Sequence, residues 1–464
     1  MPDLHVVILA AGKGTRMKSD LPKVLHQVAG RSLIDRVLDT ASALRPASTT
    51  LVVGHAADKV QSHLAARGDV HFVVQEPQLG TGHALLQAAP LLRGQTGTVV
   101  LLSGDVPLLR SSTLQALVDT HISSGAAATV LTAMIERPYG YGRVVRTDGQ
   151  ITRIVEERDA SKLQREIREI NSGIYAFTLE SLFEALTKIG ADNAQGEYYL
   201  PDLIGIHRKR RNIVASHTIP SAVEIRGINS RTELAEVSAM VRQQKNEELM
   251  AAGVTLIDPA TTYIDSDVEI GADTVIHPCV LIEGGTSIGA ACEIHSGTRI
   301  VNSTLGDRVL IKNHTVIQDS AIASGAQIGP FAHCRPGADV HENAHVGNFV
   351  ELKNTTLGAG SKANHLTYLG DATVGAKVNV GAGTITCNYD GTAKHRTVIE
   401  DGAFIGSDAT LIAPVTIGRN AYVAAGSSVT DDVPGGALAI GRGRQENKLD
   451  WVTKRKELQS TKSL

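Results

Sequence analysis

Aromatic side chains are scarce in this 464-residue chain, which holds six Phe, nine Tyr and one Trp. A core of that size must then be filled by small and branched aliphatics, which favours thin repeated layers over a few large anchors. Cysteine is scarcer still. Cys279, Cys292, Cys334 and Cys387 all fall in the second half with no CxxC pairing, which excludes a disulfide framework and offers no zinc-type spacing. Neither sign of charge dominates, the formal net charge being −3, so no polybasic surface points to nucleic acid or an anionic membrane. No apolar run approaches the ~18 residues of a membrane span, and the run at 6–11 is shorter than a signal-peptide core. We therefore expect a cytoplasmic protein with no membrane span and no nucleic-acid partner. What the chain does have is 45 glycines and 42% apolar residues, too many for disorder. Its length suits two or three domains at roughly 150 residues each.

Up to residue 229, buried-strand runs alternate with helical stretches. Residues 4–10, 50–53, 70–74, 99–102 and 127–132 have the composition of strands, and 33–44 and 112–123 that of helices. The alternation predicts a mostly parallel, Rossmann-like α/β sheet covered on both faces, with ligands beyond the C-terminal strand ends. Ser230-Arg-Thr-Glu233 is a capping-box pattern that opens a linker helix over 230–252, with Leu234, Val237 and Val241 on one edge. The basic cluster from His207 to Arg211 is expected to be a solvated helix end.

From residue 253 to 464 the period is neither that of a helix nor that of a flat strand. Ile264, Ile270, Ile276, Ile282, Ile288, Ile294 and Ile300 fall six apart without a miss. One-residue shortenings lead on to Leu305, Ile311 and Ile317, then to Ile322 and Ile328. Val340, Val346, Leu352 and Leu357 follow, and the series runs through Val374, Val380, Ile399, Ile405, Leu411, Ile417, Val423 and Val429. A period of six defines a hexapeptide β-helix, here an all-β domain wound left-handed. Eighteen residues make one coil, and coils stack at the ~4.8 Å strand spacing. Residues 384–397 interrupt the pattern, so we expect them to loop outside the tube and to carry function. The tail after Gly443, with Trp451 and several lysines, is expected to pack near a ligand groove or a neighbouring subunit.

The first strand runs into Leu9-Ala10-Ala11-Gly12-Lys13-Gly14-Thr15-Arg16-Met17, followed by Pro22-Lys23. Glycines let backbone N–H groups approach an anion, and Arg16 and Lys23 add charge for phosphates. The generic dinucleotide and P-loop patterns both fail here. The whole pattern LAAGxGTRM-x4-PK resembles the signature of sugar-phosphate nucleotidyltransferases. Further segments match in order: Gln75 with Gln78-Leu-Gly80-Thr81-Gly-His83, Ser103-Gly104-Asp105, Tyr139-Gly-Tyr-Gly142-Arg143, Glu156, Asn171-Ser-Gly173 and Asn229. The resemblance implies that Leu9, Ala10, Ala11, Gly12, Lys23, Gln75, Gly80, Thr81, Ser103, Gly104, Asp105, Gly142, Glu156, Asn171 and Asn229 bind UTP and the sugar nucleotide. It also implies that Arg16 and Lys23 are catalytic and that Asp105 and Asn229 hold Mg²⁺. Ser103 stands where many relatives carry Tyr, which affects a sugar or ribose contact.

The second half carries Arg335-Pro-Gly337, the stretch from Val346 to Lys353, His365-Leu-Thr-Tyr368-Leu-Gly-Asp371, Asn379-Val-Gly-Ala382 and Cys387-Asn388-Tyr389-Asp390. Joined to the first half, this is similar to the bacterial bifunctional N-acetylglucosamine-1-phosphate uridyltransferase / glucosamine-1-phosphate N-acetyltransferase family. That resemblance implies His365 as general base toward an amine, since imidazole titrates near neutrality. It implies Arg335, Lys353, Tyr368 and Asn379 for glucosamine 1-phosphate, and Ala382, Asn388, Tyr389, Ser407, Ala425 and Arg442 for acetyl-CoA. N-acetylglucosamine 1-phosphate and UTP would then be the substrates of the first half. A homotrimer, with acetyl sites shared between subunits, follows from the resemblance alone.

Overall fold

The computed structural model describes residues 3–461, and the chain divides into two compact units, the first ending at Val241 and the second starting at Arg242. The first is built on one mixed sheet. Its strands are β1 (Leu4–Leu9), β2 (Ser48–Val53), β3 (Val70–Val74), β4 (Thr98–Ser103), β5 (Ala128–Met134), β6 (Arg143–Thr147), β7 (Gln150–Val155), β8 (Glu169–Thr178) and β9 (Val214–Ile219). Across the sheet the order is β9-β5-β8-β4-β1-β2-β3, with the β6–β7 hairpin attached through β8. β4, β1, β2 and β3 are parallel, whereas β8 runs antiparallel between β4 and β5. The insertion of β8 departs from a purely alternating pattern. Chain order reverses between β1 and β4, and such a switch point leaves a crevice at the strand ends.

Helices follow the sequence closely. Leu33–Ser42 starts at Ser32, whose hydroxyl accepts from the Asp35 backbone N–H at 3.1 Å, and buries Ile34, Val37, Leu38 and Ala41. Helix Arg231–Ala251 straddles the division between the units. Ser230 Oγ accepts from Glu233 N, as in a capping box, but the Glu233 carboxylate reaches back to the N–H of Asn229 at 2.6 Å. Val237 and Val241 pack with Val28, Leu33 and Ile228, so this stretch of helix closes a core of the first unit. The basic cluster is only partly solvated: His207 is fully buried on helix Asp202–Lys209 and hydrogen-bonds Asn212. Burial keeps its pKa low.

The second unit is a left-handed parallel β-helix of three sheets, holding eleven, ten and nine strands. Tyr263 pairs with Leu281 eighteen residues on, but Ser287 pairs with Thr304 seventeen on, so each shortened repeat is absorbed at a corner while the ladder continues. Corner residues such as Asn302, Asn343 and Asn354 take positive φ, a conformation that Asn tolerates better than most. The aliphatics at every sixth position are buried in one continuous core, except Ile270, which is partly buried against it. Of the gaps in that series, Ala363 and Leu369 fill one, and two are filled inward by less expected residues. Cys334 is fully buried, and Thr386 is buried with its hydroxyl satisfied by the N–H and C=O of Gly370. Strand Ile385–Cys387 is therefore part of the tube, and the excursion begins at Asn388 and not at 384. The ladder shows its length, since Thr373 pairs with Val398, twenty-five residues on.

Candidate functional sites

At the β1/β4 switch point, Leu9 and Ser103 end their strands side by side. Two cavities open there. One, of about 270 Å³, is lined by Leu9, Ala10, Ala11, Gly12, Lys23, Gln75, Gly80, Thr81, Ser103 and Asp105. The other, of about 600 Å³, is lined by Arg16, Tyr141, Glu156, Asn171, Asn229 and, again, Asp105. Asp105 thus borders both. Gly14 adopts φ +58°, and a Cβ there would lie 2.7 Å from Cβ of Lys23, so the glycine lets the Lys23 turn pack against the loop. Gly104 and Gly142 line neither cavity. Gly104 donates to the carbonyl of Leu9, holding the two strand ends together. A Cβ on Gly142 would lie 2.9 Å from the Glu156 carboxylate and 3.4 Å from Asn171, so its missing side chain draws those two residues together.

Lys23 Nζ donates to Asp105 Oδ2 and, at 3.1 Å, to Asn229 Oδ1. Two oxygens thus converge on one cation, from residues more than a hundred positions apart. Ser103 Oγ donates to the other oxygen of Asp105 at 2.5 Å, which gives this serine the job of aiming the carboxylate. Gln75 is buried, and its amide bridges Gly80 O and the His83 ring. Burial, reinforced by Asp159 and Asp202, raises the pKa of Glu156.

On the β-helix, residues from far fewer turns of chain meet. His365 ends strand Lys362–His365, directly paired with Asn348 one coil earlier. Its Nδ1 lies 2.7 Å from Asn348 Oδ1, a pure acceptor, so the ring proton sits on Nδ1 and Nε2 keeps its lone pair facing solvent. Continuing the register through Ala363/Val380, Val380/Ile405 and Ile405/Val423 stacks Ala382, Ser407 and Ala425 over His365. This column of small side chains ends at Arg442, whose Cδ lies 3.8 Å from where a Cβ on Gly426 would stand. Asn379 is in the same sheet, and Tyr368 starts a strand in the next one.

The cations gather around Asp371. This residue accepts from Lys353 Nζ at 3.1 Å, from Asn354 at 2.7 Å and from Asn388. Burial raises its pKa, but these hydrogen bonds outweigh it and hold the carboxyl below its usual range. Arg335 pairs with Glu351 at 2.8 Å. Lys394, on the looped-out segment, is held beside the Lys353 ammonium with Arg335 near, which lowers the pKa of Lys394. Such crowding of like charges marks a place for an anion. Asn348, Asp371 and Lys394 carry no role in the sequence reading. Asn348 is detectable only by stepping one coil back from His365, and Lys394 by its place in the interruption. Tyr389 is exposed, and its hydroxyl donates to Gly391 O at 2.6 Å. The tail helix Trp451–Thr461 is exposed along residues 451–459.

A nucleotide-type crevice on an α/β sheet and an imidazole on a hexapeptide coil define a transferase with two separate sites. Comparison with known proteins agrees. Residues 6–189 match the MobA-like NTP transferase domain, 396–431 the bacterial transferase hexapeptide repeats, and 257–341 the GMPPB C-terminal domain. The protein from Shouchella clausii called bifunctional protein GlmU is 53% identical over 455 residues, covering 98% of this chain and all of that one. Its namesakes from Geobacillus thermodenitrificans and Pelobacter propionicus are 52% and 49% identical, covering 97% and 98% of this chain and 97% and 100% of their own. The chain belongs to the bifunctional GlmU family, and it is an enzyme with a nucleotidyltransferase half and an acyltransferase half. Among the described residues no helix is long and apolar enough to cross a membrane.

Proposed function

We propose that the chain acetylates glucosamine 1-phosphate with acetyl-CoA and then joins the product, N-acetylglucosamine 1-phosphate, to UTP, giving UDP-N-acetylglucosamine and pyrophosphate in the cytoplasm. The observation that carries the reading is the column from His365 through Ala382, Ser407 and Ala425 to Arg442, set beside the cations Arg335, Lys353 and Lys394. A thiol ester needs a long, narrow, small-walled track, and a sugar phosphate needs cations at one end of it. In the acetyl step His365 Nε2 takes a proton from the amine as its nitrogen attacks the thioester carbonyl. The thiolate of CoA leaves, and the proton passes to it. Asn348 keeps the imidazole in the required tautomer, and Asp371 holds Lys353 and Asn388 in place.

In the uridylyl step an oxygen of the sugar phosphate attacks the α-phosphorus of UTP in line, and pyrophosphate departs. Arg16 and Lys23 neutralise the triphosphate, and the backbone of 9–12 lies against the nucleotide. Asp105 and Asn229 would hold Mg²⁺, whose charge neutralises phosphate oxygens; the convergence of their two hard oxygens on one cation supports that fit. Glu156, Asn171 and Gly142 receive the sugar. A homotrimer is supported by the stacked, half-exposed Phe331 and Phe349, with Leu366 next to His365. The exposed tail, with Trp451, would meet a neighbouring subunit, and the exposed Tyr389 of the looped-out segment would reach acetyl-CoA. A coupled assay with glucosamine 1-phosphate, acetyl-CoA, UTP and Mg²⁺ tests the whole sequence. Omitting acetyl-CoA should stop UDP-N-acetylglucosamine formation, and supplying N-acetylglucosamine 1-phosphate should restore it. Failure of restoration would refute the order.

A further inference from the structure

We propose that His277, Glu293 and His295 form a binding site for a divalent transition-metal ion of the Zn²⁺ class, near the start of the β-helix. Val275–Ile276 pairs in parallel with Glu293–Ile294, which brings His277 and His295 onto neighbouring coils in the same register. Their ring centroids are 4.6 Å apart. Both Nε2 atoms point at a single oxygen, Glu293 Oε1, at 3.2 Å from His277 and 3.0 Å from His295. Three donor atoms on three side chains therefore lie within 4.8 Å of one another. Zinc bonds of ~2.0–2.2 Å in a tetrahedron set donor atoms roughly 3.3–3.6 Å apart, so the two His–Glu contacts lie close to the edges of such a polyhedron.

The surroundings suit a metal as well as the three donors do. His295 Nδ1 lies 3.4 Å from Asn313 Oδ1. That acceptor favours a proton on Nδ1 and leaves Nε2 free as a ligand, the usual outer-sphere arrangement at metal-bound imidazoles. Both rings are half-buried and the carboxylate is exposed, which leaves an entry path and an open position for water. Two nitrogen donors select Zn²⁺, Co²⁺ or Ni²⁺ over Mg²⁺. Lys312, the cation that follows His295 by register, acts on His345 further along the tube. A bound ion would fasten two successive coils at the end of the ladder remote from Arg442, so its effect falls on stability and not on catalysis.

The full-length protein, stripped of transition metals by chelation, tests this. Titration with Co²⁺ should give a visible d–d absorption band saturating at one equivalent per chain and displaced by Zn²⁺. The His277→Asn/His295→Asn double variant should lose the band, and Glu293→Gln should bind at least tenfold more weakly. Zn²⁺ should raise the thermal midpoint of the wild type and leave that of the double variant unmoved. Acetyl and uridylyl transfer, measured with Mg²⁺ only, should be unchanged in Glu293→Gln, which shows that this variant folds. A band that persists in the double variant and in Glu293→Gln, or the lack of any saturable Zn²⁺ binding to the wild type, would overturn the proposal.

Discussion

The two halves assemble their sites by opposite means. On the α/β sheet, Lys23, Asp105 and Asn229 come from three loops spread over two hundred residues and meet only because the strand order reverses at β1/β4. On the β-helix, Asn348, His365, Ala382, Ser407 and Ala425 succeed one another at every coil and meet because the register repeats. A sheet site therefore depends on loop conformation, and a tube site on unbroken stacking. The difference teaches where each activity is vulnerable. In the first half a single lost contact disorders one loop; in the second a misplaced coil shifts a whole column.

The sharpest way to break the comparison is His365→Ala. Loss of the base should cut acetyl transfer by about 10²–10⁴-fold while UTP-dependent pyrophosphate release stays nearly intact, each followed in its own assay. Parallel loss of both would mean that the halves do not act independently. Asp105→Ala is the mirror test. Uridylyl transfer should vanish at every Mg²⁺ concentration while acetylation persists, whereas rescue by excess Mg²⁺ would remove Asp105 from the cation site.

Truncation sharpens the boundary. A chain ending at Ser230 loses Val237 and Val241 from the core around Val28 and Leu33, at about 1.5 kcal/mol or more for each buried valine. A chain ending after Val241 should keep them and melt several degrees higher. Both should be monomeric in analytical ultracentrifugation, since the proposed trimer is assigned to the tube; a trimer from either would contradict that assignment.

The smallest effect is on pH dependence. His121 is buried between Thr129 and Thr178, and burial pushes its pKa down to about 4. A folded-state pKa below the unfolded value means the unfolded chain takes up the proton first. The stability this neutral histidine permits is full above about pH 6.5 and falls away toward pH 4, by about 3 kcal/mol. Calorimetry between pH 7 and 5 should show the first half losing stability, and His121→Gln should flatten that loss. An unchanged slope would place the acid sensitivity elsewhere.

Much of this was legible in the residues because hydrophobic period reports geometry directly. The six-residue repeat marks the inward positions of the tube, and the glycine-rich turn after β1 marks a strand end that opens on a cavity. The positions missed are those where polarity disguised burial. Thr386 and Cys334 occupy inward places because a coil corner satisfies a hydroxyl and a thiol packs as a small hydrophobe. His207 looked solvated because its neighbours are basic, yet its ring lies on the helix face turned to the core.

The sequence by itself determined the two architectures, the order of the halves and most of the side chains that gather at the two candidate sites, because repeat period and loop composition are local properties. Only the tertiary structure decided that Ser103 aims Asp105, that Asn348 sets the His365 tautomer, that Asp371 gathers Lys353 and Asn388, and that Lys394 joins the cations. Those pairings arise where distant segments are brought within hydrogen-bond range, and no local pattern encodes a distance between residues that the fold alone makes neighbours.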